Sequence, residues 1–253
     1  MEVHHHPNVE KKGFKEYFLE FVMIFLAVTM GFIAESIREK ITENNAANDY
    51  ARSLFQDLKK DTAELNTEIS EMNFVSARID TFINLVQTKQ INDLPGGSWY
   101  YYGRFGTRLL RFQSENATLQ QLKSSGSLRY FKNYSIISAL AQYDQATTHL
   151  TTFIYFEQSG FLEKLIELRN SLFITYHMTP VMNLKIPETE VDSFKAQKIP
   201  LLDTSHKLMV EYANYCELKQ NNDIYILGLE QNVLKEARAL LDLLKKEYDI
   251  KQQ

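Results

Sequence analysis

The chain has 253 residues, 44% of them hydrophobic and 24% charged, a mixture that argues against a disordered chain, a collagen-like chain or a protein with many membrane spans. Nine glycines and five prolines are few for this length and favour long helices over an all-β fold. The 28 basic and 32 acidic residues are spread along the chain, so the charge pattern gives no reason to expect nucleic acid as a partner. The single cysteine, Cys216, excludes an intramolecular disulfide and is predicted to be a small buried side chain.

An apolar segment from Tyr17 to Ala34 contains one charged residue, Glu20. As a helix it would extend roughly 27 Å, close to the thickness of a thin hydrocarbon core. No small-residue cleavage site follows it, so the sequence predicts an uncleaved transmembrane signal anchor over residues 14–36 rather than a removed signal peptide. A buried core helix is the alternative, but large apolar side chains on every side argue against it.

The lysines and arginines around this segment predict its orientation. Three lysines precede the span, whereas only Arg38 and Lys40 follow it closely, among acidic residues. This bias places residues 1–13 in the cytoplasm and the chain beyond the span outside the cytoplasmic membrane. Residues 1–13 include a histidine-rich tip, His4 to His6, which is predicted to be solvent-exposed.

Small residues share one side of the anchor helix with its only charge. Glu20, Ala27, Gly31 and Ala34 fall on one stripe at helical spacing, the pattern of a close helix–helix interface in a membrane. Glu20 then either finds a partner there, in simple packing or in an ion-linked site, or extends to the cytoplasmic membrane surface.

Apolar residues at helical spacing and the positions of glycine and proline predict the organisation of residues 37–253. The first long helix has an apolar stripe interrupted at Asp61 and Ser76, and its carboxylates Asp57, Glu64 and Glu68 are interpreted as a solvated face. The expected elements are a long helix (37–94), an aromatic loop (95–106), a short helix (107–126), a long helix (127–178), a proline-containing loop (179–202) and a C-terminal helix (203–250).

The predicted loop carries four consecutive aromatic residues, Trp99, Tyr100, Tyr101 and Tyr102, followed by Arg104. They are a candidate platform for a sugar or cell-wall fragment, on which Arg104 would contact an anion. The alternative is that the aromatic rings cap the end of a helix bundle and cover its core.

No pattern of residues predicts catalysis or a bound metal. The serines of the Ser-Ser-Gly-Ser segment at 124–127 lack a nearby base or an oxyanion motif, and Gly126 suits a left-handed helix end. His149, His177 and His206 are far apart in the sequence and form no ligand pattern. The protein is therefore expected to be no enzyme and to need no cofactor.

Several segments resemble a family of uncharacterised membrane proteins from Bacteroidota. They are the histidine-rich tip, the anchor FKEYFLEFVMIFLAVTMGFIAESIRE, the following YARSLFQDLKKDTAEL and the central LQQLKSSGSLRYF, in the family's order. The resemblance covers the first 75 residues and the 115–135 block. It implies a Gram-negative inner-membrane protein with a helical domain and supplies no catalytic residues.

Together these features predict an all-α protein with an N-terminal transmembrane helix followed by an antiparallel bundle of long helices. The leading functional hypothesis is a structural or interaction protein of the cell envelope, whose partners are the lipid bilayer and either itself or another envelope protein. A ligand-sensing module that acts through a partner, and an accessory subunit of an ion-driven or channel-like complex, are the alternatives.

Overall fold

The structure is a computed structural model that describes residues 13–250, apart from the side chains of residues 155–160. All regular secondary structure in residues 13–250 is helical, which confirms the all-α class. The predicted cytoplasmic tip, with His4 to His6, lies outside the described residues except for Gly13.

Six α-helices follow one another within residues 13–250. They are α1 (Phe14–Thr88), α2 (Gly96–Gly103), α3 (Ala117–Ser124), α4 (Tyr134–Leu172), α5 (Glu188–Lys195) and α6 (His206–Tyr248). Short 3-10 helices occupy Ile91–Asp93, Arg104–Thr107, Ser127–Tyr130 and Thr175–Val181. The chain divides into two compact units, Met1–Tyr50 and Ala51–Gln253, called here the N-terminal unit and the helical domain.

The described part of the N-terminal unit is the beginning of α1. Its apolar segment is long and apolar enough to cross a membrane, with a mean hydropathy of 2.1, and none of that segment is buried inside the protein. Large side chains including Phe21, Phe25 and Phe32 are exposed. Past this segment the helix surface becomes polar, with Arg38 paired to Glu35 at 2.5 Å.

In the helical domain, α4 and α6 run antiparallel along one another. Asn133, just before α4, donates a hydrogen bond of 2.9 Å to Glu247 near the end of α6. Near the opposite ends, Lys164 of α4 lies 3.8 Å from Glu211 of α6. These contacts support part of the predicted bundle.

The second half of α1 also contacts α6. The side-chain amide of Gln220 donates to Ser76 Oγ at 3.0 Å and to Asp80 Oδ1 at 2.7 Å. Further along, Arg238 donates to Asn66 at 3.1 Å, so these two helices are also antiparallel. The apolar residues of the predicted stripe in α1 are buried here, among them Leu54, Leu58, Leu65, Met72, Ile79 and Val86.

The two polar interruptions of that stripe, the buried Asp61 and the half-buried Ser76, are hydrogen-bonding positions. Asp61 accepts hydrogen bonds from the Tyr143 hydroxyl and, at 2.8 Å, from the backbone N–H of Glu115. Ser76 accepts from Gln220. Each interruption therefore joins α1 to another part of the domain, since a buried polar group needs a partner.

The interpretation of the α1 carboxylates as a solvated face is wrong. Asp57 accepts a hydrogen bond of 2.5 Å from Thr118, and Glu64 accepts one from the backbone N–H of Gln113. Glu68 is half-buried. The segment that precedes α3 covers this side of the helix, which sequence periodicity alone does not reveal.

Two predicted loops contain helices. Residues 96–103 form α2 rather than an aromatic loop, and α5 begins directly after Pro187 inside the predicted proline-containing loop. Proline suits the start of a helix because the first backbone N–H groups of a helix have no partner within it, and proline has no N–H to leave unpaired. Gly97 serves close packing, since its N–H donates to the Gln197 carbonyl oxygen at 2.9 Å. The predicted helix over 107–126 is confined to α3, and α4 ends at Leu172.

Candidate functional site

The first two aromatic residues of α2 belong to the core. Trp99 is 1% exposed and donates from Nε1 to the Ile91 carbonyl oxygen at 3.0 Å. Tyr100 is fully buried, and its hydroxyl donates to the Pro200 carbonyl oxygen and accepts from the Ile174 N–H. The prediction that these two residues form an exposed ligand platform is wrong. Both rings are buried in the core, and their polar atoms have hydrogen-bond partners within the fold. Their positions fit the alternative that the aromatic residues cover the core.

The other three residues of the predicted platform line one cavity in the helical domain. Tyr101, Tyr102 and Arg104 border a space of about 250 Å³, here called the arginine–tyrosine pocket. The remaining lining residues are Phe74, Arg78, Thr81, Leu184, Ile186, Glu188, Val191, Asp192 and Lys195.

Side chains from one face of α1 and one face of α5 form two walls of this pocket. On α1, Phe74, Arg78 and Thr81 share one face at intervals of four and three. On α5, Glu188, Val191, Asp192 and Lys195 do the same. The absence of a side chain at Gly97 allows α2 to approach the backbone at the end of α5, because a Cβ atom there would collide with the Phe194 carbonyl oxygen.

Arg104 is the most unusual side chain of the pocket. Only 6% of it is exposed, and its Nε has no hydrogen-bond partner. Its guanidinium carbon lies 4.1 Å from the centre of the Phe105 ring and 5.0 Å from that of Tyr101. Burial lowers the pKa of Arg104, and the positive charges of Arg108 and Arg78 act in the same direction. A hydrogen bond with the Tyr101 side chain acts in the opposite direction. Arginine keeps its proton in proteins, so Arg104 is a buried cation whose hydrogen-bond partner here is a neutral hydroxyl group.

Two further cations line the pocket. The guanidinium of Arg78 lies 4.0 Å over the Phe74 ring. The Lys195 ammonium lies 5.7 Å from the centre of the Tyr101 ring and pairs with Asp192 at 2.7 Å. Among the described residues, neither Arg78 nor Arg104 forms a salt bridge, and both guanidinium groups lie over aromatic rings.

The acidic groups of the pocket lie on its exposed side. Glu188 and Asp192 are both exposed, in contrast to the buried Arg104 and Tyr101. The lining carries three positive and two negative side chains, which leaves one positive charge in excess. Chemically, the site can bind an anion against an aromatic and aliphatic wall.

A second group of polar side chains is buried between α1 and α6. Glu230 is fully buried, and neither of its carboxyl oxygens has a hydrogen-bond partner. Burial raises its pKa to about 8, and the negative charges of Glu68 and Asp223 contribute. Asp223 itself is paired with Lys219 one turn away. Sequence reasoning missed both this group and the pocket residues Arg78 and Lys195, which stand among ordinary charged residues of amphipathic helices.

The predicted membrane stripe lies on the exposed surface of α1. Glu20, Ala27, Gly31 and Ala34 are all exposed. A Cβ atom added at Gly31 would have no described atom within 4 Å, so the described residues leave space beside it.

Within the described residues, no group of three or more histidine, cysteine, aspartate or glutamate side chains is arranged to hold a metal ion. Cys216 is buried as predicted. The ring of His177 packs against the rings of Tyr100 and Tyr176.

Comparison with protein-family models, with curated proteins and with solved structures found no match to this chain.

Proposed function

We propose that this protein is a membrane-anchored helical interaction protein of the bacterial envelope. The observation that carries the proposal is the apolar beginning of α1, whose large side chains are exposed and are not covered by any of the described residues. Exposed apolar surface on this scale is unfavourable in water, at roughly 25 cal/mol for each Å², and is favourable in a bilayer.

In this proposal, residues 14–36 cross the inner membrane once, with residues 1–13 in the cytoplasm. The lysines before the span support that orientation. The helical domain then lies in the periplasm as an antiparallel bundle of α1, α4 and α6, and its surface is available to partners. No residue is assigned a catalytic role.

We further propose that copies of the anchor associate through the stripe of Ala27, Gly31 and Ala34. In a bilayer, helices associate by close packing because apolar surface gains nothing by leaving lipid. Small side chains allow two backbones to approach, and Gly31 is the smallest residue at the centre of the stripe.

Mass measurement of the intact chain in a mild detergent tests this association. Gly31→Ile should lower the fraction of dimer or higher oligomer, with an apparent dissociation constant raised about tenfold, because a branched side chain separates the backbones. Thr29→Ile is the matched control, since Thr29 lies on the opposite side of the helix. Free monomer in the unmodified protein, with no co-purifying protein, would contradict the proposed interaction role.

The arginine–tyrosine pocket favours a second function, a ligand-binding module that signals through a partner. The supporting observation is the buried guanidinium of Arg104, which has neither a salt bridge nor a partner for its Nε. A buried charge without a counter-ion is costly, so a fold that retains one is consistent with a bound anion. Ligand binding measured on the purified full chain tests this function.

A further inference from the structure

We infer that the arginine–tyrosine pocket binds a small monocarboxylate that has an apolar body. This inference rests on the proposed ligand-binding function and names the chemical class of the ligand. It is independent of whether the N-terminal helix crosses a membrane.

The buried guanidinium of Arg104 favours a negatively charged group in the ligand, because its hydrogen bond with the neutral Tyr101 side chain does not neutralise its charge. Its Nε–H donor is buried and unpaired, and the neighbouring aromatic rings cannot accept a strong hydrogen bond from it. Arg78 adds a second guanidinium to the same lining. A carboxylate suits these groups because guanidinium presents parallel donors to its two oxygens.

The charge of the lining favours one negative charge on the ligand. Lys195 is already paired with Asp192, and Glu188 stands on the exposed side. The pocket therefore has one positive charge in excess, which a monocarboxylate neutralises. A phosphate dianion would leave an uncompensated negative charge beside two carboxylates.

The rest of the lining favours an apolar body. Phe74, Leu184, Ile186 and Val191 supply apolar walls, and the Tyr101 and Tyr102 rings complete them. The space of about 250 Å³ is slightly smaller than the 300–1,000 Å³ typical of pockets for drug-sized ligands. A single aromatic ring or a short aliphatic chain suits that size.

Isothermal titration of the full chain in an uncharged detergent tests the inference with three probes. Benzoate carries the charge and the ring, benzamide has nearly the same shape without the charge, and inorganic phosphate has charge without an apolar body. Benzoate should bind at least about tenfold more tightly than either of the others. Its affinity should fall as salt increases.

Variants locate the binding in the pocket. Arg78→Met should weaken benzoate binding about tenfold or more, and it is the first choice because Arg78 is only half-buried and its loss should leave the fold intact. Arg104→Lys keeps the charge and loses the planar donors, so it should weaken benzoate several-fold. Arg129→Met is the matched control, because Arg129 also lies over an aromatic ring but is exposed and outside the pocket.

Four outcomes would overturn the inference. They are equal binding of benzamide and benzoate, tighter binding of phosphate than of benzoate, an Arg78→Met protein that is folded by circular dichroism yet binds benzoate unchanged, and no binding of benzoate at concentrations up to about 10 mM. Failure of membrane anchoring would leave these results unaffected, since the pocket lies entirely within the helical domain.

Discussion

The hydroxyl group of Tyr212 on α6 donates a hydrogen bond of 2.7 Å to the carbonyl oxygen of Gly103, the last residue of α2. Both residues are buried, and Arg104 follows Gly103 directly. This bond therefore ties the element that carries Arg104 to the longest helix of the C-terminal half.

Replacing Tyr212 by Phe should destabilise the helical domain by about 1–3 kcal/mol, because the buried Gly103 carbonyl group would lose its partner from α6. Urea unfolding followed by circular dichroism measures the change. Tyr134→Phe is the control and should have almost no effect, since Tyr134 is 80% exposed. Equal stability of the two variants would show that the Tyr212 hydrogen bond does not hold α2 in place.

Gly97→Ala should also destabilise the domain, by about 1–3 kcal/mol. The added Cβ would collide with the Phe194 carbonyl oxygen and lie 3.1 Å from two further backbone oxygens, which cannot rotate away as a side chain could. Thermal unfolding measures the loss.

The control for this variant is Gly228→Ala on α6, where a Cβ meets no described atom within 4 Å. Alanine should stabilise that helix by roughly 0.5–1 kcal/mol because it has the higher helix propensity. A loss of stability at Gly228 equal to that at Gly97 would contradict the close-packing explanation.

The buried carboxyl group of Glu230 should make the stability of the domain depend on pH. Burial raises its pKa to about 8 from an ordinary value of 4.5, so the folded protein holds a proton that the unfolded chain releases. The free energy of unfolding should therefore fall as the pH rises from about 5 to 8, by up to about 1.4 kcal/mol per pH unit, and level off above that range. Raised pKa values at Asp61, Glu68 and Asp223 act in the same direction.

Glu230→Gln isolates this contribution because glutamine has a similar shape and does not titrate. Denaturant unfolding between about pH 5.5 and 8.5 gives the slope of the free energy of unfolding against pH. In this variant the slope should be shallower, by up to the contribution of one titrating proton. Glu217→Gln changes the same charge at an exposed position of α6 and should keep the slope of the unmodified protein. An unchanged slope in Glu230→Gln would mean that Glu230 is not protonated in the folded protein.

Periodicity predicted the elements whose stability comes from one long apolar stripe. The helices α1, α4 and α6 have such stripes, and Leu58, Leu65 and Met72 lie in the core as expected. Asp61 appeared only as a break in the pattern. Its partner Tyr143 is 82 residues away, so spacing within one helix could not reveal the contact.

The aromatic segment was harder to predict because its glycines allow close tertiary packing and do not mark a turn. Gly97 and Gly103 usually indicate a turn, but here they make room for the Phe194 carbonyl oxygen and the Phe173 ring, and the segment between them is helical. The arginine–tyrosine pocket combines Arg78, Arg104 and Lys195 from three separate parts of the chain. Only Arg104 stood next to a recognisable aromatic motif.

Alkaline carbonate extraction of cell membranes distinguishes a transmembrane anchor from a peripheral association with the membrane. The unmodified full chain should stay in the membrane pellet. The double variant Ser53→Arg/Gln56→Arg is the control and should also stay there, because its added charges lie beyond the apolar segment. Phe25→Arg/Val28→Arg should move the protein to the soluble fraction, because each arginine near the centre of a span costs about 2.5–3.5 kcal/mol. Release of the unmodified chain by carbonate, together with peripheral proteins, would contradict a transmembrane anchor.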